Sequence, residues 1–342
     1  MDSPQNASKA PESDLHEESI DDGTTPLNDA TNPSTAPTAR QQPPISEHCT
    51  TDQSLPASLA SESPSGSLTT WTTSDREIEV YISKPSDYPT TPARLLLLLT
   101  NGTGVKSRNN QFQADLFARY GYLVIMPDMF SRDPAPNSKP EENQLSANAT
   151  WLDTVKLKVA ETAKSFSLDM WLARHTEETV LPILREVLKV AKEDYADAVS
   201  HGGGIYAVGY CFGGRYVLQL AGDDMASVTA REKHEVAEEG RNLTGPQIKA
   251  GICAHGTLVG RKDVTGIKVP VQLVCVEDDP LFPDEVLEEG RKWLAQEKVD
   301  HHIEVYKNVP HGFAVVGEYE SKQINDAQAK AFQSMLGWLK AH

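Results

Sequence analysis

From about residue 69 onward the chain alternates two apolar patterns. Short apolar runs of strand length lie at Glu77–Ser83, Arg94–Thr100, Tyr122–Met126, Ile205–Val208, Ile248–Ala254, Val271–Val276 and His302–Tyr306. The first and last alternate apolar with polar residues, as half-buried strands do. Arg94–Thr100 instead holds five consecutive leucines, a run that suits a strand covered on both faces. Between these runs, Asn109–Arg119, Val180–Tyr195, Asp284–Lys298 and Ile324–Lys340 carry apolar residues at helical spacing. In the second of them, Leu181, Leu184, Leu188 and Ala191 form one stripe. Buried strands alternating with amphipathic helices predict an α/β fold, a mainly parallel sheet with helices on both faces. The charged stretch 222–247 interrupts the pattern and reads as an insertion.

Residues 1–68 follow no such pattern. They hold eleven acidic residues against two basic ones, few apolar residues, and much Pro, Ser and Thr. Such a segment has too little apolar surface to offset the entropy of ordering it. The expected organisation is therefore a disordered acidic tail and linker over 1–68, followed by one α/β domain over 69–342. The whole chain of 342 residues has a net charge of −17. That balance argues against nucleic acid and against a membrane surface as partners, since both attract basic patches. No apolar run approaches the roughly 18 residues of a membrane-spanning helix. The N-terminus lacks the basic and apolar regions of a secretory signal. The four cysteines, Cys49, Cys211, Cys253 and Cys275, are too widely spaced for a disulfide framework or a paired metal motif. A cytoplasmic, reduced protein is expected, with no metal and no cofactor.

The most specific local signal is Gly209-Tyr210-Cys211-Phe212-Gly213-Gly214, after the strand Ile205–Val208 and before the apolar stretch Tyr216–Ala221. It is a nucleophile elbow with cysteine in the serine position. The chain must reverse sharply there, and small residues flanking the nucleophile let the helix approach the strand. The helix N-terminus favours a thiolate at Cys211, and the Phe212 N–H points to where an oxyanion would form. The bland alternative is a buried, inert thiol in a turn. An elbow of this kind needs an acid and then a base further along the chain. The strand Val271–Val276 ends in Glu277-Asp278-Asp279-Pro280, and the strand His302–Tyr306 leads to Val309-Pro310-His311-Gly312-Phe313. Both loops lie at the strand ends where ligands bind in parallel sheets. A second oxyanion donor is expected from Thr100-Asn101-Gly102-Thr103-Gly104, with Gly102 supplying the N–H. His255, at the end of another strand, is a pocket candidate. His48-Cys49 reads as linker.

These residues resemble the dienelactone hydrolase family, a branch of the α/β-hydrolases. The resemblance rests on the elbow around Cys211, on Asp279-Pro280-Leu281-Phe282-Pro283, on His311-Gly312-Phe313 and on Gly121-Tyr122 through Met126-Pro127-Asp128. It implies Cys211 as nucleophile, His311 as base and Asp279 as the orienting acid, since the family's acid is followed four residues later by proline, here Pro283. It further implies hydrolysis of small carboxylic esters or lactones through a thioester. A homodimer is compatible with it. Two departures stand out. Asn101 occupies the place of a family glutamate that touches the resting thiol, and Val315 and Val316 follow the histidine motif where the founding enzymes carry an arginine. The expected pocket therefore uses Asn101, His255, Phe282, Phe313, Val315 and Phe212, and favours neutral substrates unless Arg215 supplies the missing cation. The rival reading is a non-enzymatic binding module with a vestigial triad.

Overall fold

The computed structural model describes residues 47–136, 166–222 and 245–342. Its strands are β1 (Ser67–Thr72), β2 (Glu77–Ser83), β3 (Arg94–Leu99), β4 (Tyr122–Pro127), β5 (Tyr206–Tyr210), β6 (Ala250–Ala254), β7 (Val271–Val276) and β8 (His301–Tyr306). They form one sheet in the order β1-β2-β4-β3-β5-β6-β7-β8. β1, β2 and β4 pair antiparallel, and every pairing from β4 to β8 is parallel. The described helices are α1 (Glu47–Thr50), α2 (Ala57–Ala60), α3 (Arg108–Arg119), α4 (166–174), α5 (Glu177–Asp194), α6 (Ala196–Gly202), α7 (Phe212–Leu220), α8 (Arg261–Val264), α9 (Asp284–Gln296) and α10 (Lys322–Ala341). None is long and apolar enough to cross a membrane.

The leucine run occupies the middle of the sheet because both of its faces are covered. Leu95, Leu97 and Leu99 join one apolar cluster with α5 and α7. Leu96 and Leu98 point the other way, into a cluster built with α3 and α10. The period of two along a strand thus turns one leucine run into parts of two cores. The outer strand β8 has only Tyr306 buried, its other five residues being partly buried or exposed, as expected of an edge.

The ordered body begins before residue 69. β1 was not apparent in the sequence because only Trp71 of its six residues is buried; it forms an antiparallel edge beside β2. Ahead of it, Cys49 is fully buried. The Gly102 N–H donates to the Cys49 carbonyl (2.8 Å), and the Glu318 N–H to the Ser54 carbonyl (2.8 Å). The Asn109 amide donates to both the Gln53 and Val316 carbonyls, each at 2.8 Å. Ser107 Oγ donates to Asp52 (2.7 Å), and the Arg108 guanidinium to the carbonyls of Leu59, Ala60 and Glu62. Residues 49–62 are a strap held by backbone oxygens and polar side chains, which a count of apolar residues does not register. The remainder of the expected tail (1–46) and all but the ends of the charged stretch 222–247 lie outside the described residues.

One buried carboxylate ties the start of β1 to the helix layer. Asp115 of α3 accepts from Tyr81 Oη (2.8 Å), Ser83 Oγ (2.6 Å) and the N–H groups of Ser65 (2.6 Å) and Gly66 (3.3 Å). Asp115→Ala strands these donors and should cost about 3 kcal/mol of unfolding free energy, read from urea denaturation; a loss below about 1 kcal/mol would show that the donors re-pair. The strap makes a separate prediction. A chain lacking residues 1–60 should melt about 5 °C below one lacking residues 1–46, since several backbone hydrogen bonds go with the strap. Equal melting points would mean that the strap adds nothing to stability.

Candidate active site

The elbow has the geometry that its sequence demands. Cys211 stands between β5 and α7 at φ 54°, ψ −112°, a left-handed conformation rare for a residue with a side chain. A Cβ on Gly209 would fall on the Gly213 carbonyl, and one on Gly213 on the Leu99 carbonyl, so neither position accepts a larger residue. The strained turn is pinned from both sides. The Cys211 N–H donates to the Ala254 carbonyl (3.0 Å), and the Cys211 carbonyl accepts from the N–H groups of Thr257 (3.0 Å) and Gly214 (3.1 Å).

Asp279, in the turn after β7, and His311, after β8, meet at the same sheet edge. His311 Nδ1 lies 2.6 Å from Asp279 Oδ2, and Asp279 Oδ1 accepts from the Leu281 N–H at 3.0 Å. Of the three acids in that turn, Asp279 is the buried one and touches the imidazole; Asp278 is exposed and Glu277 pairs with Lys307. On the other side of the ring, His311 Nε2 lies 3.0 Å from Thr257 Oγ1, and Thr257 Oγ1 lies 3.0 Å from Cys211 Sγ. The polar chain thus runs Asp279, His311, Thr257, Cys211.

Electrostatics separate these groups. Burial pushes the Cys211 thiol up, but hydrogen bonds with Cys49 and His311, the His311 charge and the Thr257 hydroxyl outweigh it and bring the thiol down to about 5. Burial disfavours the charged imidazole, yet the Asp279 hydrogen bond and the interaction with Cys211 raise His311 to about 9. Near neutral pH this favours a thiolate–imidazolium pair. The hydrogen bonds then share one direction: Nε2–H of His311 to Thr257, and the Thr257 hydroxyl to the Cys211 sulfur. Cys253 and Cys275, inside β6 and β7, are pushed up by burial, Cys275 to about 12.

Two residues of this centre were not assigned to it from the sequence: Thr257 was not singled out, and Cys49, expected in the linker, is buried beside the elbow. Thr257 follows β6 in Cys253-Ala254-His255-Gly256-Thr257, and its position just past the end of a parallel strand was the available signal. Cys49 arrives from the strap, 162 positions before Cys211, and no local pattern announces it. Its sulfur lies 3.5 Å from Thr257 Oγ1. Cys49, Cys211 and His311 bring one ligand atom each within 4.8 Å of one another. Two sulfurs and an imidazole nitrogen form a donor set suited to a soft divalent cation.

The other candidates divide. Phe212 opens α7, and its ring packs on Trp171 (4.8 Å between centroids) and faces Phe130 (6.5 Å). The buried His255 ring stands edge-on to His311 at 5.0 Å and so buttresses the imidazole. Phe282 shares the apolar cluster of Cys211 and Phe212. Phe313 and Val315 pack in the cluster on the other face of the sheet, with Tyr306 and α10, and the Phe313 ring also lies 6.2 Å from the His255 ring. The Asn101 side chain organises its own loop, its Oδ1 accepting from Thr103 and from Asn110. The Gly102 N–H, expected to face a substrate oxygen, donates to the Cys49 carbonyl. Arg215 neither reaches the thiol's neighbourhood as a free cation nor points to solvent; it pairs with Glu177 and Asp263, each at 3.1 Å.

The model of the dienelactone hydrolase family matches residues 78–232 and 239–342. The hydrolase tropI of Talaromyces stipitatus is 29% identical over 267 residues, covering 78% of this chain and 88% of that protein. The hydrolase pyvD of Aspergillus violaceofuscus is 28% identical over 78% of this chain and 87% of its own. Among solved structures, a candidate dienelactone hydrolase from Klebsiella pneumoniae superposes with a TM-score of 0.57 at 19% identity, over 81% of this chain and 98% of that one. The thermophilic esterase Est2 of Thermogutta terrifontis superposes at 0.52, with 13% identity over 81% and 95% of the two chains. With the family model spanning most of the sheet and both loops that meet at Cys211, the chain belongs to the dienelactone hydrolase family, hydrolases built on the α/β-hydrolase fold.

Proposed function

We propose that the protein hydrolyses small, neutral carboxylic esters or lactones with Cys211 as nucleophile, His311 as acid and base, and Asp279 as the group that orients the imidazole. The observation that carries this reading is the continuous polar chain from Asp279 through His311 and Thr257 to Cys211 at the strained elbow.

The Cys211 thiolate attacks the acyl carbon, and the negative charge that develops on the carbonyl oxygen faces the Phe212 N–H at the N-terminus of α7. A second donor, Gly102 N–H, becomes available when the Cys49 carbonyl gives way to the substrate oxygen. The His311 imidazolium protonates the departing alkoxide, which in a lactone stays tethered to the acyl chain. The resulting thioester is cleaved by water, whose proton passes to the neutral His311, and the acid leaves as Cys211 and His311 regain their charges. Asp279 holds Nδ1–H throughout and so keeps Nε2 as the working nitrogen. The Thr257 hydroxyl stabilises the thiolate between turnovers. An ester suits this chemistry better than an amide, because an alkoxide leaves a thiolate adduct with less acid assistance than an amine needs.

The preference for neutral substrates follows from the charges nearby. Arg215 is already paired with two acids, and the five residues that follow His311 carry no cation. A buried substrate carboxylate would lack a charge-assisted partner, which costs several kcal/mol.

Four outcomes test this reading. Cys211→Ala should lower kcat on a neutral aryl ester or lactone by about a thousandfold or more, whereas Cys253→Ala should keep turnover and lose stability only; wild-type turnover in Cys211→Ala would end the nucleophile assignment. The pH profile of kcat/KM should be a bell. It rises as Cys211 loses its proton near pH 5 and falls as His311 loses its proton near pH 9. Thr257→Val removes a donor to the thiolate and should move the acid limb upward while leaving a bell; an unmoved limb would take Thr257 out of the relay. Finally, a neutral lactone should exceed a carboxylate-bearing analogue in kcat/KM by about tenfold or more. The reverse order would require a cation that the reading does not contain.

A further inference from the structure

We infer that Cys49 and Cys211 form a reversible disulfide when the enzyme meets a hydroperoxide, so that the strap resolves the oxidised nucleophile before it is lost. The inference rests on the reading of Cys211 as a thiolate nucleophile, but not on which ester is turned over.

Three observations carry it. First, the two sulfurs and the His311 ring nitrogen lie within 4.8 Å of one another, and both thiols contact the same Thr257 hydroxyl, at 3.5 and 3.0 Å. Second, the two cysteines are held differently. Cys211 is fixed in the elbow, whereas Cys49 sits in the four-residue α1, outside the sheet. Bringing two sulfurs to about 2.05 Å needs rotation at Cβ and a small backbone shift, and a strap outside the sheet supplies that shift more readily than a ladder strand does. Cys253 and Cys275 lie within β6 and β7, both paired with strands on either side, and lack this freedom. Third, the groups differ in reactivity. Cys211, at the N-terminus of α7 and in contact with the Thr257 hydroxyl, is the thiol that a peroxide oxidises, and Cys49 stands beside it to resolve the product.

The steps balance. The Cys211 thiolate attacks one peroxide oxygen and the O–O bond breaks. Sulfur becomes a sulfenic acid, and the peroxide is reduced to an alkoxide that takes its proton from the His311 imidazolium. Cys49 Sγ then attacks the Cys211 sulfur; the S–O bond breaks, and the departing hydroxide leaves as water with the Cys49 proton. An external dithiol reduces the disulfide and is itself oxidised, after which Cys211 and His311 recover the thiolate–imidazolium pair. In the oxidised state the nucleophile is capped by the segment whose carbonyl already accepts from Gly102, so inactivation is complete yet repairable. Without Cys49, the sulfenic acid would proceed to sulfinic acid, which a thiol does not reverse.

The test uses the full-length protein with cumene hydroperoxide, alkylation of remaining thiols, and non-reducing peptide mapping. The expected product is a Cys49–Cys211 cross-linked peptide, with about 90% of the lost activity restored by dithiothreitol, against about 10% in Cys49→Ser, where Cys211 carries two added oxygens. Cys211 sulfinic acid without the cross-link in the wild-type protein, or equal recovery in Cys49→Ser, overturns the inference, as does a disulfide from Cys211 to Cys253 or Cys275. Should Cys49→Ser fold poorly, the wild-type peptide map alone decides. Because the cross-link is read by mass, its formation in a protein that hydrolyses no ester would sink the proposed function and spare this inference. An active esterase without the cross-link does the opposite.

Discussion

The backbone reversal at Cys211 is the constraint on which the site depends. A cysteine at φ 54° is held there only because its surroundings leave no other course. Gly209 and Gly213 are small so that β5, α7 and the end of β3 can touch, and the hydrogen bonds to Ala254 and from Thr257 fasten the turn to β6. That fastening also delivers the Thr257 hydroxyl to the sulfur. Since β5, β6, β7 and β8 are adjacent and parallel, the loops after them open on one edge. Cysteine, threonine, aspartate and histidine therefore arrive from four successive strands.

Burial sets the second condition. Cys211, Cys49 and Thr257 have essentially no exposed surface, so a charge at the sulfur has to be stabilised by protein groups. Each donor has a support of its own. His311 leans on Asp279 and on the His255 ring, Asp279 on the Leu281 N–H, and Thr257 on the Cys211 carbonyl. The loss of any one support falls on the sulfur, because no solvent is at hand to substitute.

Much of this was legible in the sequence, for identifiable reasons. Arg94–Leu99, Val271–Val276 and α5 declare themselves because burial on both faces, or along one stripe, writes a periodic pattern into local sequence. The elbow is legible because its glycines are sterically required within five residues. What stayed hidden depends on polar contacts between distant positions. β1 shows one buried residue in six, and the strap none beyond a few near Cys49, so hydrophobicity passes over both. That the Gly102 N–H belongs to the Cys49 carbonyl, or Asn101 to Thr103 and Asn110, is decided by backbone geometry and not by residue type. Phe313 lies two residues from His311, yet it turns to the opposite core, because proximity in a loop does not fix the face on which a side chain lands.

The order of these parts along the chain has a consequence for synthesis. Cys211 leaves the ribosome 100 residues before His311, while the imidazole that draws its proton away, by hydrogen bond and by charge, does not yet exist. During that interval the cysteine is an ordinary thiol among apolar neighbours. Its reactivity switches on late, when the last parallel strand docks and the histidine loop closes over the edge, so the nascent chain carries its nucleophile unarmed until the sheet is whole.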